Sequence, residues 1–248
     1  MCPTVWFLKH FASANNQIPG GDYSPALLLG GSMTIQTMVS VLAVGFAKTV
    51  AIFFLTLLGS LPLGIPVALG RMSRFGPLQW LTRIYISIMR GTPLILQLMV
   101  VFFGPYYLLG ITVGSGFRFW AVIIAFVINY AAYFGEIYRS GIASVPVGQR
   151  EAAQVLGYSR SQTFLRIVLP QVLKIVLPSV TNEVITLVKD TSLATIIAVA
   201  EMFTLAKKIA SSQATLTPFV IAAAFYYVFN AVVAWGMERC EKALTYYR

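Results

Sequence analysis

Polar side chains set inside apolar runs are where this sequence can do chemistry. Asn182 and Glu183 lie in residues 174–188, which are otherwise apolar, and Thr186 stands at i+4 and i+3 from them, so the three share one helical face. A carboxylate or amide within a membrane span is costly unless a lumen, a neighbouring helix or a second subunit relieves it. Glu183 therefore has two available roles: a charge-assisted hydrogen bond to a cationic α-amino group, or a pair with another helix or subunit. Lys189, Asp190, Thr191 and Ser192 follow at once, crowded between the apolar runs 184–188 and 193–200, and read as a helix break. Broken helices at membrane depth persist only where they line protein or a cavity. If Thr191 and Ser192 cap a helix running through Ile196 to Lys208, its N-terminus faces a substrate carboxylate; the other reading is a Lys189–Asp190 pair closing a surface turn. Asn129, Tyr130, Tyr133 and Glu136 make a further polar strip, explained by helix–helix hydrogen bonds as well as by transport.

Other chemistries are poorly served. The sole histidine, His10, is in the N-terminal stretch, and Cys2 and Cys240 lie at opposite ends without metal-ligand spacing. No Gly-x-Ser-x-Gly elbow and no Gly-x-x-x-x-Gly-Lys-Ser/Thr phosphate loop occurs, so neither an intramembrane enzyme nor an ATPase is expected, and no metal or cofactor is expected on this chain.

The elements that must position these residues follow from composition. Of 248 residues, 58% are hydrophobic and only 10% charged, with a mean hydropathy of +0.78. Soluble domains carry about a quarter charged residues, so lipid is the solvent for much of this surface. The fold class expected is all-α, a polytopic membrane helical bundle. Uncharged runs cover residues 23–47, 49–70, 91–117 and 209–237, with a shorter one at 119–135. Spans are expected near 46–70, 90–110, 119–138, 172–189 and 215–237, the stretch 23–47 being either an interfacial helix or an extra span. Domains are drawn as an N-terminal extension 1–44, a permeating domain 45–238 and a tail 239–248. Residues 1–11 do not read as a secretory signal, because Lys9 follows the apolar residues, so insertion is expected to rest on the spans.

The formal charge of +10 reports topology rather than nucleic acid, since Lys and Arg concentrate in cytoplasmic loops. Twelve of the eighteen basic residues fall in segments 71–90, 139–174 and the C-terminal tail, which puts the N-terminus outside and the C-terminus in the cytoplasm. Arg90 is then expected at the cytoplasmic interface, with Thr92-Pro93 starting a helix. Trp80, Trp120 and Trp235 fit the aromatic belt, and Phe225, Tyr226, Tyr227 and Phe229 fit packing.

The one substantial loop, residues 139–170, has the composition of ordered structure. Pro146 can start a short helix with Ala152, Val155 and Leu156 on its apolar face and Gly157 ending it; Ser159 or Ser161 can cap a second, with Phe164, Leu165, Val168 and Leu169 before Pro170. Such a pair either docks into a partner groove or lies on the bilayer.

The loop's Glu151-Ala152-Ala153, then Gly157, then Ile167-Val168-Leu169-Pro170, resembles without a gap the signature of permease subunits of ATP-binding-cassette importers. Arg90-Gly91-Thr92-Pro93-Leu94 with Gln97, Gly148-Gln149, and Lys189-Asp190-Thr191-Ser192-Leu193 are similar to the polar amino acid permeases, the likeness covering about residues 45–210. The resemblance implies a five-helix core, homo- or heterodimers with a second permease subunit, substrate from an extracellular, periplasmic or lipid-anchored amino-acid-binding protein, and two copies of a cytoplasmic ATPase that hold ATP and Mg. It implies a bacterial cell membrane. It also implies that Gln149, Glu151, Ala152, Ala153, Gly157, Leu169 and Pro170 form the element coupling to the ATPase. The competing class is a solitary ion-coupled amino acid carrier or channel, which has no reason to present such a loop.

Overall fold

The computed structural model describes residues 33–112, 114 and 116–244. Regular structure among the described residues is helical throughout: α1 Ile35–Arg71, α2 Gly76–Gly91, α3 Leu94–Leu109, α4 Phe117–Ser144, α5 Val147–Val155, α6 Arg160–Thr163, α7 Leu169–Asp190, α8 Met202–Gln213 and α9 Thr217–Leu244. A π-helical turn, Phe164–Val168, joins α6 to α7, and a 3-10 segment, Thr191–Ile197, follows α7. Four helical stretches, Ile35–Arg71, Phe117–Ser144, Arg160–Ile197 and Thr217–Leu244, are long and apolar enough to cross a membrane. The pair α2 and α3, bent by 110° at a short break, is the fifth.

The central helix is α4, whose Phe126, Tyr130 and Phe134 are fully enclosed. It runs parallel to α1 at close range because small residues meet bulky ones: a Cβ on Gly59 would stand 2.8 Å from Val127 Cγ2, and one on Gly64 would stand 2.9 Å from Phe134 Cβ. In lipid, where apolar contact alone gives little preference for helix over acyl chain, such close approach is a main source of helix association. On its other side α4 runs antiparallel to α7, with Gly141 against Val172 and Val176. Thr181 Oγ1 of α7 donates to Glu241 Oε1 of α9 at 2.6 Å.

Three expected boundaries move. The division at residue 44 falls inside α1, which is unbroken from Ile35, and Met38, Val41 and Leu42 pack on Met202, Leu205, Ala206 and Ile209 of α8. Residues 35–47 are thus the start of the first long helix rather than an interfacial helix or an extra span, because Lys48 interrupts the apolar run without interrupting the helix; residues 23–32 lie outside the described residues. α4 continues to Ser144, so the loop begins at Val145 rather than at Arg139. Pro170 does not end the second loop helix. Proline has no N–H for the carbonyl four residues back, and the preceding turn widens, with the Leu169 N–H on the Phe164 carbonyl, so that α6 runs through into α7.

Candidate substrate cleft and coupling loop

The break between α2 and α3 is written in Thr92-Pro93. The residue before a proline is driven out of the helical region, and Thr92 sits at φ −120°, ψ 146°, so α2 stops at Gly91. The carbonyls freed by the break are met by amides: Gln97 Nε2 lies 3.0 Å from the Met89 oxygen and 3.1 Å from that of Thr92, and Asn129 Nδ2 lies 3.1 Å from the Met89 oxygen and 2.9 Å from Gln97 Oε1. Asn129 is buried about 18 Å along α4 from Phe117, near its middle. This corrects the expectation for Arg90. It sits at mid-helix depth beside α4, not at the cytoplasmic interface, because α2 turns back into the bundle after α1 and carries the Arg90 turn inward.

From there the Arg90 guanidinium lies over the Tyr133 ring, 5.3 Å from its centroid. Together with Glu136, Ser140, Ser179 and Glu183 these two side chains line a cleft of about 350 Å³ between α2, α4 and α7. Glu136 is taken by Arg139, at 2.6 Å from Nη2. Arg90 and Glu183 remain as a cation and an anion lining one space, which suits a molecule carrying both charges: a guanidinium grips a carboxylate bidentately, and a carboxylate accepts from an ammonium.

The other expected pathway residues separate. Asn182, Thr186 and Lys189, with Ser179, form an exposed polar stripe along α7, and Thr186 Oγ1 donates to the Asn182 carbonyl at 2.9 Å. Asp190 turns inward and accepts from Tyr130 OH at 2.8 Å. Thr191 and Ser192 do not cap a following helix. Their hydroxyls donate back to the Val188 and Lys189 carbonyls at 2.7 and 2.8 Å, and the helix they were expected to start is interrupted at Ala198, which is left-handed at φ 56°. Asn129 serves the α2–α3 break, as described above.

The cap belongs to Glu201, which sequence reasoning missed. Its carboxylate is fully buried and takes the Phe203 and Thr204 N–H groups at 2.7 and 2.6 Å, Thr204 Oγ1 at 2.8 Å, Tyr226 OH at 3.2 Å and Thr49 Oγ1 at 3.4 Å. It thereby joins α1, α8 and α9. The legible signal was an acid in an apolar stretch with a threonine three residues on, the spacing of an N-cap and its N3 partner. Among the described residues no three His, Cys, Asp or Glu side chains are grouped to hold a metal.

At the far end of α4 the loop forms a compact knob. α5 follows Pro146, and Gly157 adopts φ 82°, left-handed, as its helix-ending position requires. Ser159 and Gln162 then form a reciprocal capping box for α6. The knob is held to the bundle at two points: Gln171 Nε2 of α7 donates to Gln149 Oε1 at 2.6 Å and to the Ile167 carbonyl at 2.7 Å, and Arg150 Nη2 donates to the Ile142 carbonyl at 2.9 Å. Ala153 faces inward. Glu151, Ala152 and Pro170 are exposed, Leu169 is half-buried, and the apolar tips Val155 and Leu156 stand 88% and 75% exposed.

A bent-helix core with a polar cleft and a protruding loop at one end defines a membrane transport component. Residues 60–246 match the family described as binding-protein-dependent transport system inner membrane component, and the chain belongs to that family. Among its relatives are the arginine transport system permease protein ArtQ of Bacillus subtilis (strain 168), 37% identical over 81% of this chain and 90% of that one, and the L-cystine transport system permease protein TcyB of the same organism, 34% identical over 90% and 96%. A solved amino acid ABC transporter, crystallised with histidines, superposes with a TM-score of 0.76 at 29% identity, covering 86% of this chain and all of that one. A chain of the MetNI methionine ABC transporter, in inward-facing form, shares the fold at TM-score 0.65 and 18% identity.

Proposed function

We propose that this chain is the permease subunit of an ABC importer that carries polar amino acids across a bacterial cell membrane. The observation that carries the substrate class is the shared cleft of Arg90 and Glu183, opposite charges held about halfway along the bundle, where an α-carboxylate and an α-ammonium both find partners. The names of the relatives point the same way. Asn182, Thr186 and Lys189 continue the pathway along α7. A polar stripe on a spanning helix is not left to lipid, so a second permease subunit, identical or different, faces it across the pathway.

ATP and Mg belong to two copies of a cytoplasmic ATPase, into which α5 inserts with Val155 and Leu156 as its apolar contacts and Gln149, Glu151, Ala152, Ala153, Gly157, Leu169 and Pro170 shaping the joint. An extracellular binding protein delivers the amino acid. The N-terminus is outside and the C-terminus inside, which puts α5 in the cytoplasm with the ATPase. Closure of the ATPases moves α5, and through α4 and α7 the cleft is opened alternately to either side. Reconstitution into liposomes with the co-purifying ATPase and binding protein tests the reading: uptake of labelled amino acids should require ATP on the α5 side. Uptake by the chain alone, without ATP, would make it a solitary carrier.

A further inference from the structure

Two adjacent residues of α5 reach two different helices of the bundle. Arg150 Nη2 donates to the Ile142 carbonyl in the last turn of α4 at 2.9 Å, and Gln149 Oε1 accepts from Gln171 Nε2 in the first turn of α7 at 2.6 Å. Ala153 follows at i+4 from Gln149 and i+3 from Arg150, shares their face, and is the one buried residue among the described residues of α5. Val147, Glu151, Ala152 and Val155 are exposed. A single alanine offers little apolar area, so directional bonds rather than packing fix how α5 sits.

A proline stands behind each bond. In a continuous helix the Ile142 carbonyl would accept from the N–H at i+4, but that residue is Pro146, which has none. The Arg150 guanidinium takes its place, and a cation at a helix C-terminus also suits the dipole there. On the other side Pro170 withholds an N–H from the Arg166 carbonyl, and the chain enters α7 through the π-helical turn Phe164–Val168. Gln171, the next residue, folds back so that Nε2 donates to the Ile167 carbonyl at 2.7 Å as well as to Gln149. Both amide hydrogens are then used, and the Ile167 oxygen fixes which end of the amide faces α5. Arg150 Nε is buried without an acceptor among the described residues, so this side chain is drawn into the joint at the expense of a bond that water gives an exposed arginine.

A hydrogen bond keeps its strength over only about 0.5 Å of donor–acceptor distance. A larger tilt or shift of α5 therefore either breaks these bonds or carries their partner helices along. Those helices hold the walls of the cleft: Tyr133 and Glu136 stand on α4, and Ser179 and Glu183 on α7.

We propose that Arg150 and Gln171 are positioning residues for transport, joining α5 to α4 and to α7 separately, so that a movement imposed on α5 by the ATPase is delivered to both walls of the cleft. This role rests on the importer reading given above.

The test is amino acid uptake per ATP hydrolysed, measured in proteoliposomes that hold the permease with its co-purifying ATPase and binding protein. Gln171→Met and Arg150→Met keep the apolar stems and remove the donors. Each should lower uptake per ATP about fivefold, one hydrogen bond expressed as a ratio, and the two together by more than about tenfold. The ATPase rate and the recovery of the ATPase with the chain should stay at parent values, and the thermal midpoint of the complex should fall by no more than about 3 °C. A merely structural role would lower all of these together. Gln171→Lys and Arg150→Lys keep donors of similar reach and should regain most of the coupling. Parent-like uptake per ATP in both methionine variants would overturn the role, as would a loss that the lysine variants share or that follows the thermal midpoint. A parent complex that takes up amino acids without ATP would overturn the importer reading itself, and this role with it.

Discussion

Tyr130, near the middle of α4, donates a 2.8 Å hydrogen bond to Asp190, the last residue of α7. The two helices that flank the loop knob are thereby joined again at the far side of the cleft. Between those two points lie Tyr133 and Glu136 on one helix and Glu183 on the other. The two helices are therefore tied above the cleft through Tyr130 and Asp190 and below it through the knob.

Tyr130→Phe removes the hydroxyl and leaves an inward carboxylate short of a donor. The cost expected is about 1–3 kcal/mol, and at a few degrees per kcal/mol the detergent-solubilised protein should melt measurably lower. An unchanged melting midpoint would show that the bond does not tie the helices.

Arg90→Gln and Glu183→Gln should each weaken substrate retention by roughly ten- to a hundredfold, the worth of one charge-assisted bond at about 1.5–3 kcal/mol. Competition uptake in proteoliposomes reads this out. Arg90→Gln should be rescued by no amino acid, whereas Glu183→Gln should spare analogues that lack the α-amino group. Parent-like competition by both variants would remove the pair from the pathway.

Gly157→Val places a β-branched residue at φ 82°, where the side chain meets its own backbone at about 1–2 kcal/mol or more. The knob should distort while the bundle stays folded. Expected are parent-like membrane insertion and ATPase activity no longer matched by uptake. Full coupled transport by this variant would contradict the role given to α5.

Glu201→Ala leaves five donors around an empty position and uncaps α8, so a loss of at least about 2 kcal/mol is expected. Glu201→Gln should lose less, since its oxygen still accepts. Thermal unfolding of the two variants orders them, and equal midpoints for both would show that shape rather than hydrogen bonding holds the joint.

The sequence by itself determined the solvent, the helical class and the knob. Apolar length, charge placement, and the proline, glycine and serine punctuation of residues 146–159 act within a turn or two of their own position, so they can be read locally. Only the tertiary structure decided what the polar residues do. Arg90 left the interface for the cleft because α2 folds back along α4; Asp190 turned inward because Tyr130 was there to meet it; Thr191 and Ser192 spent their hydroxyls on α7, and Glu201 took the cap. A buried polar group takes whichever partner the packing brings within about 3 Å, and in a bundle that partner comes from another helix far away in the chain.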